Sequence, residues 1–243
     1  MPRNSENNFT RNAGVLSYLC RPVKYWFYLF ISAILIFSSC QKETEELNAL
    51  GKEYFGYELG QTRYYQCDST LYNSFNPQNP VVKREFIIRE RVKSKFIDNE
   101  GNEVFRLERY ISFDKDTSYS FFGLATIQID ELGIQYYENN TRYVRMSFPI
   151  RKKRSWDGNI FNNSERQRYV YIGVNEPYSN GFMNFDEVVS VNQRDELTII
   201  SEKVDNYWYG KGVGLIEKAI QNIDINGSDK DGFELSWKLE SMQ

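Results

Sequence analysis

The 243-residue sequence contains no histidine. Histidine is the usual general base near neutral pH and the commonest metal ligand in proteins. Its absence excludes Ser-His-Asp and Cys-His catalysis, so an enzyme with this sequence would depend on carboxylates, tyrosine, lysine or a thiol. The chain also lacks an excess of positive charge, because 30 basic residues are outnumbered by 33 acidic ones. Nucleic acid is therefore not an expected partner.

Cysteine is scarce, and the three residues are Cys20, Cys40 and Cys67. Small secreted domains that depend on disulfides carry paired cysteines, so this chain is not predicted to be a disulfide scaffold. A long membrane-spanning run is lacking as well. The apolar run at residues 25–37 has thirteen residues, whereas a helix needs roughly 20 to cross the bilayer core.

The apolar run has the surroundings of an export signal. Four basic residues precede it, and the small residues Ser38 and Ser39 follow it. A basic lead, a short apolar core and small residues at its end are typical of a signal peptide. An ordinary signal peptide and an uncleaved signal anchor both remain possible readings of these features.

Residues 37–40, FSSC, resemble the lipobox of bacterial lipoproteins. The resemblance implies that a diacylglyceryl group is attached to the sulfur of Cys40. It also implies that a peptidase cleaves between Ser39 and Cys40, and that the new amine is often acylated. More than one acyl chain is needed for stable anchoring, since each buried CH2 contributes about 0.8 kcal/mol. No cofactor is expected apart from these covalent diacylglycerol and acyl groups.

The charged residues after Cys40 predict where the protein is displayed. Lys42, Glu43, Glu45 and Glu46 resemble the surface-export signal of Bacteroidetes-type lipoproteins, and a solvated tether is the alternative. We therefore expect a protein that is lipid-anchored in the outer membrane and displayed at the cell surface. The expected domains are a signal peptide at 1–39, a lipidated tether at 40–53 and a β domain at 54–243.

The rest of the chain alternates with a period of two, which is typical of strands. In residues 81–97, Ile88 and Val92 lie at even positions, whereas Arg89 and Arg91 lie at odd ones. The turn DNEGN at 98–102 predicts a hairpin with the next run. We expect an all-β fold of about ten strands, built as a single antiparallel, strongly curved sheet or as a barrel or sandwich.

Two further features of the β region carry expectations about loops and strands. The longer stretches between strand-like runs, at 151–168 and 174–181, are predicted to be loops, where functional contacts concentrate. Gly210, Gly212 and Gly214 are spaced two apart. At that period they would share one face of a strand and leave a flat strip, or mark a bulge or bend in a curved sheet.

Three short motifs resemble a pattern in uncharacterised Bacteroidetes lipoproteins. They are Y-x-L-G from Tyr57, F-P-I followed by W-x-G from Phe148, and W-Y-x-x-G-V-G-L from Trp208. The resemblance covers most of residues 54–220. It implies a shared β fold and location, and it implies no activity or catalytic residue.

Candidate sites are few. Ser69, within the tripeptide DST, resembles an O-glycosylation site of exported Bacteroidetes proteins. Residues 224–232 have oxygen ligands but lack the spacing of a calcium loop, so no metal site is predicted. Cys67 is expected to be a small buried hydrophobe rather than a nucleophile. No catalytic residue is predicted.

The sequence favours a non-enzymatic binding or structural module of the cell envelope. Its partner would be the membrane through the lipid anchor, together with an envelope protein, a glycan or an apolar ligand. The alternative is a carboxylate-based glycan hydrolase at the cell surface, which needs two acids some 5–9.5 Å apart.

Lipidation at Cys40 is tested by labelling cells with radioactive palmitate. Cys40→Ala is expected to abolish incorporation of the label, because the thioether and the new amine both belong to residue 40. Cys20→Ala serves as the matched control and is expected to keep the label. Label on the Cys40→Ala protein would contradict the lipobox interpretation.

Overall fold

The alternating sequence forms twelve strands in the part of the chain that the computed structural model describes, residues 51–113 and 118–243. The strands are β1 (Thr62–Tyr72), β2 (Val81–Ile97), β3 (Glu103–Ser112), β4 (Ser120–Ile129), β5 (Gly133–Glu138), β6 (Thr141–Ser147), β7 (Ser155–Asp157), β8 (Arg168–Ser179), β9 (Asn184–Leu197), β10 (Ser201–Gly210), β11 (Gly214–Asn226) and β12 (Asp229–Met242). One 3-10 helix, Lys52–Tyr54, precedes them. Within these ranges no helix has the length and apolar character required to cross a membrane.

The strands form one antiparallel sheet in the order β6-β5-β4-β3-β2-β1-β12-β11-β10-β9-β8-β7. Each strand lies beside its neighbour in sequence, except that β6 and β7 are the two edges and β1 pairs with β12. The edges approach each other, because the Val144 amide donates to Gly158 O at 2.9 Å and Trp156 Nε1 donates to Val144 O at 2.7 Å. The sheet is therefore nearly closed into a barrel, which confirms the predicted all-β class with a curved sheet.

The predicted hairpin of β2 and β3 is present. Val92 lies opposite Leu107, and both side chains are buried inside the barrel. In the turn, Asp98 Oδ1 accepts hydrogen bonds from the amides of Glu100 and Asn102 at 2.9 and 2.8 Å. A side chain that binds its own backbone in this way stabilises a tight turn, which explains why local sequence was sufficient here.

The prediction that three alternating glycines share a strand face is wrong. Gly210 ends β10 and Gly214 begins β11, so the segment is a turn rather than a strip. Gly212 and Gly214 have φ angles of +70° and +83°, a region that glycine adopts without steric cost. Period-two spacing alone does not distinguish a strand from a turn that uses every second glycine. The spacing therefore gives no sign of the boundary between β10 and β11, and the structure has twelve strands rather than about ten.

The predicted loop at 174–181 is also wrong, because β8 extends to Ser179. The regular alternation is lost at bulges, where the pairing of β8 with β9 shifts register around Gly173 and Glu176. Asn175 has a positive φ of 55° at this irregularity. Bulges add unpaired residues to a strand, so the sequence looks aperiodic where the sheet continues. The other predicted loop, 151–168, contains the short strand β7.

Residues 51–61 pack against one end of the barrel. Tyr54, Phe55 and Tyr57 are buried in the main hydrophobic cluster. The backbone carbonyl of Glu53 accepts a hydrogen bond of 2.7 Å from the amide of Gly212 in the β10–β11 turn. We call this the near end of the barrel. It is the end from which the chain continues toward the predicted tether.

The opposite end, here called the far end, carries the turns at 73–80, 198–200 and 227–228. The strand register places them together, because Tyr72 pairs with both Val81 and Gly232, and Glu202 pairs with Leu197. The β7–β8 connection at 158–167 lies at the same end, since β8 runs antiparallel to β9. The two ends of the barrel are therefore formed by different sets of turns.

Gly214→Ala and Gly212→Ala test the close packing of the near end. Both residues have positive φ, so each substitution costs about 1 kcal/mol or more in backbone strain. A β-carbon at 214 would also lie 2.6 Å from the carbonyl oxygen of Phe55, whereas one at 212 meets no atom within 4 Å. We expect Gly214→Ala to lower the free energy of unfolding by at least about 1 kcal/mol more than Gly212→Ala does. Equal urea-unfolding midpoints for the two variants would contradict this packing.

Candidate functional site

The barrel interior contains a cluster of charged side chains centred on Arg109. Its Nε donates to Glu90 Oε2 at 2.8 Å, its Nη1 donates to Glu138 Oε1, and its Nη2 donates to the hydroxyl of Tyr136. Arg109 and Glu90 are almost completely buried. Because a buried charge is strongly destabilising without a partner, these contacts are required for the interior to be stable.

Strand register explains how these residues meet. Arg63 on β1 lies opposite Glu90 on β2, and Glu90 lies opposite Arg109 on β3. Directly paired residues point to the same side of a sheet, so the three side chains form one inward row. Arg63 is also held from the near end, since its Nη2 donates to Val213 O at 2.7 Å and its guanidinium stacks 3.6 Å from the Tyr57 ring.

Glu138 completes the cluster from β5, the strand that also supplies Tyr136. Burial by itself would raise the pKa of Glu138. The positive charges of Arg109, Lys218 and Arg145 outweigh that effect and hold this pKa below its usual value. The carboxylate is therefore ionised at neutral pH and serves as a counter-charge rather than as a proton donor.

Lys218 reaches the same region from β11, where it lies opposite Tyr207 on β10 and Trp237 on β12. Its Nζ is 3.4 Å from the centroid of the Trp237 ring. Burial, together with the nearby charge of Arg109, lowers the pKa of Lys218 to about 7, whereas Glu138 opposes the shift. Within residues 51–113 and 118–243, its ammonium group makes no hydrogen bond or ion pair.

Arg145 on β6 faces this group from the other side of the interior. Its Nη1 donates to the Gln193 side-chain oxygen, and its guanidinium lies 5.0 Å from the Tyr207 ring centroid and 4.5 Å from that of Tyr143. These partners are neutral. In the described ranges no carboxylate oxygen lies within ion-pair distance of Arg145.

These side chains surround a small cavity of about 30 Å³. Arg109, Arg145 and Lys218 line it together with one carboxylate, Glu138, and the rest of the lining is four tyrosines and three aliphatic residues. A cavity of this size has room for about two water molecules. Sites for organic ligands are on the order of 300–1,000 Å³, so the interior is packed rather than hollow.

The cluster is dominated by positive charge and contains one cavity-lining carboxylate. A glycosidase needs two carboxyl groups on either side of a bound sugar, but Glu138 is the single carboxylate in the cavity lining and it is bonded to Arg109. Among the described residues no group of three or more histidine, cysteine, aspartate or glutamate side chains could hold a metal ion.

A second candidate surface lies at the far end, where large apolar side chains are exposed on the turns. Ile199 is 93% exposed and Phe75 is 89% exposed. Their exposed neighbours at the same end include Leu197, Ile200 and Ile160. Isolated exposed apolar residues are ordinary, but several of them gathered at one end are typical of an interaction surface.

Most of the sequence-predicted site residues lie outside the described residues. They are Ser39, Cys40, Lys42, Glu43, Glu45 and Glu46. Cleavage, lipidation and surface export therefore stay predictions, as do the boundaries of the signal peptide and tether.

Ser69 and Cys67 lie within β1. Ser69 is partly buried and pairs with Arg84 and Leu235, and its glycosylation stays a prediction. Cys67 is a free, fully buried thiol, which confirms the expectation of a small buried hydrophobe. Burial raises the pKa of this thiol, so it is a poor nucleophile.

Sequence reasoning missed the charged interior. The signal for it was present, because Glu90 lies between Ile88 and Val92 on the apolar side of the β2 alternation. Arg109 likewise has the parity of Leu107 on β3. A charge at an inward position predicts a buried partner, but the alternation does not identify which strand supplies it.

Arg109→Met tests the importance of the interior cluster. The substitution leaves the Glu90 carboxylate buried without its partner, so we expect a loss of about 3–5 kcal/mol in the free energy of unfolding. Lys152→Met is the control, because it breaks an exposed ion pair of 2.7 Å with Glu176 and should cost no more than about 1 kcal/mol. Urea unfolding measures the loss of free energy of unfolding in each variant. Similar losses in the two variants would contradict a stabilising role for the interior cluster.

Comparisons with known proteins were made by sequence and by structure. No family model matches the sequence, and no curated protein is significantly similar to it. A structure named “putative lipoprotein” from Parabacteroides distasonis has 11% identity and a TM-score of 0.39. Another, named “putative exported protein with YmcC-like fold”, from Bacteroides fragilis, has 12% identity and a TM-score of 0.43. Each alignment covers 78% of this chain and 98% of the other, and neither assigns a family or an activity to this chain.

Proposed function

We propose that this chain is a non-enzymatic binding module of the cell envelope that contacts a partner protein through the far end of its barrel. Acyl chains on Cys40 would tether it to the outer membrane, and the charges at 42–46 would direct it to the cell surface. The observation that carries the proposal is the group of exposed apolar side chains on the far-end turns.

The small volume of the interior argues for a contact on the outer surface. An acyl chain or a sugar needs a pocket several times larger than about 30 Å³. The cations Arg109, Arg145 and Lys218 would also have to be desolvated against an apolar ligand, which is unfavourable. The apolar-carrier version of the hypothesis therefore has less support than a surface contact.

The chemistry of the far end favours a protein over a glycan. Its exposed large apolar side chains, among them Ile199 and Phe75, are aliphatic residues and phenylalanine. Sugars are bound by polar groups combined with tyrosine or tryptophan faces, whereas aliphatic side chains and phenylalanine bury well against another protein. The glycan-hydrolase alternative has less support, because Glu138 is the one carboxylate that lines the cavity, and both it and Glu90 are bonded to Arg109.

The near end is partly covered, because residues 51–61 pack against it. The far-end turns are available to a separate component of the envelope.

Photo-crosslinking in living cells tests this proposal. A photoreactive amino acid replaces Ile199 in one variant and Leu132 in the matched control. Leu132 is 67% exposed and lies on the β4–β5 turn at the near end. We expect a reproducible adduct with one envelope protein from position 199 and none from position 132. A third variant carries the photoreactive amino acid at position 75 and should form an adduct with the same envelope protein. Adding Ile199→Ser and Ile200→Ser to this variant should abolish its adduct.

Two results would overturn the proposal. One is the absence of any protein adduct from positions 199 and 75. The other is an equal yield of the same adducts from position 132, which would show that crosslinking reports general surface proximity. Folding of each variant is checked by its urea-unfolding midpoint, because exposed turn positions should leave stability almost unchanged.

A further inference from the structure

Lys218 lines the interior cavity without a contacting counter-charge among the described residues. An ammonium group has three N–H donors and no acceptor, yet in the part of the chain that the structure describes Lys218 contacts no acceptor. Its position over the Trp237 ring favours the charged form, because the face of an aromatic ring attracts a cation. Lys218 is half-buried and lines the cavity, so an acceptor bound there would satisfy its donors.

The charges around the cavity differ in how well they are compensated. Arg109 is bonded to two carboxylates, Glu90 and Glu138. Arg145 is bonded to the neutral oxygen of Gln193, and Lys218 is bonded to no group, among the described residues. Two cations therefore line the cavity without a contacting counter-charge.

We propose that the cavity binds one small monovalent anion, of the size class of chloride, between Lys218 and Arg145. The volume of about 30 Å³ selects that class, since it has room for about two water molecules and is too small for a sulfate or phosphate group. Water would supply hydrogen bonds without charge, whereas an anion supplies both. The site is separate from the far-end surface and does not depend on the function proposed for it.

Ionisable groups from several strands face Lys218 and set the conditions for binding. They are Cys67 on β1, Arg109 on β3, Glu138 on β5, Arg145 on β6, and Asp205 and Tyr207 on β10. Since the arginines keep their charge and Glu138 is already ionised, Lys218 is the group that changes charge near neutrality. Its folded pKa of about 7 means that the ammonium is lost as pH rises, so the anion is expected to bind more weakly at pH 9 than at pH 6.

Bromide is the probe for this site because it replaces chloride and quenches tryptophan fluorescence on contact. Trp237 lies directly beneath Lys218 and is the reporter. The purified full chain is titrated with sodium bromide against sodium gluconate at constant ionic strength. We expect a saturable phase of quenching at pH 6, weakened by roughly tenfold or more at pH 9, and competed by chloride but not by sulfate.

Three variants assign the saturable phase. Lys218→Met keeps the length of the side chain and removes its charge, so affinity for bromide should fall by roughly tenfold or more. Trp237→Phe should remove the saturable phase of quenching and leave the emission of the other tryptophans. Lys152→Met, at an exposed lysine, should leave the saturable phase unchanged. The pH comparison uses the unaltered protein, so the proposal stays testable if the interior variants fold poorly.

Quenching that rises linearly with bromide at both pH values would overturn the proposal and indicate that the cavity holds water only. The same saturable phase in Lys218→Met would also overturn it, because the anion would then be bound elsewhere.

Discussion

Arg109 lies inside the barrel, where its guanidinium joins two carboxylates and a phenol that come from two other strands. The remainder of the structure depends on this constraint. A nearly closed sheet buries every inward side chain, and a buried charge requires a counter-charge at contact distance. The row of Arg63, Glu90 and Arg109 satisfies that requirement only in the observed register, since a shift by one residue would turn the row outward.

The filled interior has a direct consequence for function. In the part of the chain that the structure describes, tyrosines and charged groups occupy the space that a lipid carrier would keep open, and they leave a cavity of about 30 Å³ between them. Binding of any large partner is therefore a property of the outer surface. Residues 51–61 cover part of the near end, and Ile199 and Phe75 are exposed at the far end.

Particular residues show how far sequence reasoning reached. Ile88, Val92 and the turn at Asp98 were sufficient to predict the β2–β3 hairpin, because alternation and a side-chain-stabilised turn are local properties. The strand β7 has three residues and gives no periodic signal of its own. The spacing of Gly212 suits a strand, a bend and a turn equally well, so the sequence did not identify the turn that the structure has there.

The sequence by itself determined the all-β class, most strand positions, the burial of Cys67 and the expectation of an exported, lipidated protein. Each of these follows from a short segment whose pattern or composition is sufficient. Only the tertiary structure decided that Glu138 meets Arg109, although 29 residues separate them in the chain. It also decided that the outer strands nearly close the sheet, and that Lys218 and Arg145 share one cavity. These contacts depend on sheet curvature and on register summed over many strands, and no short segment contains that information.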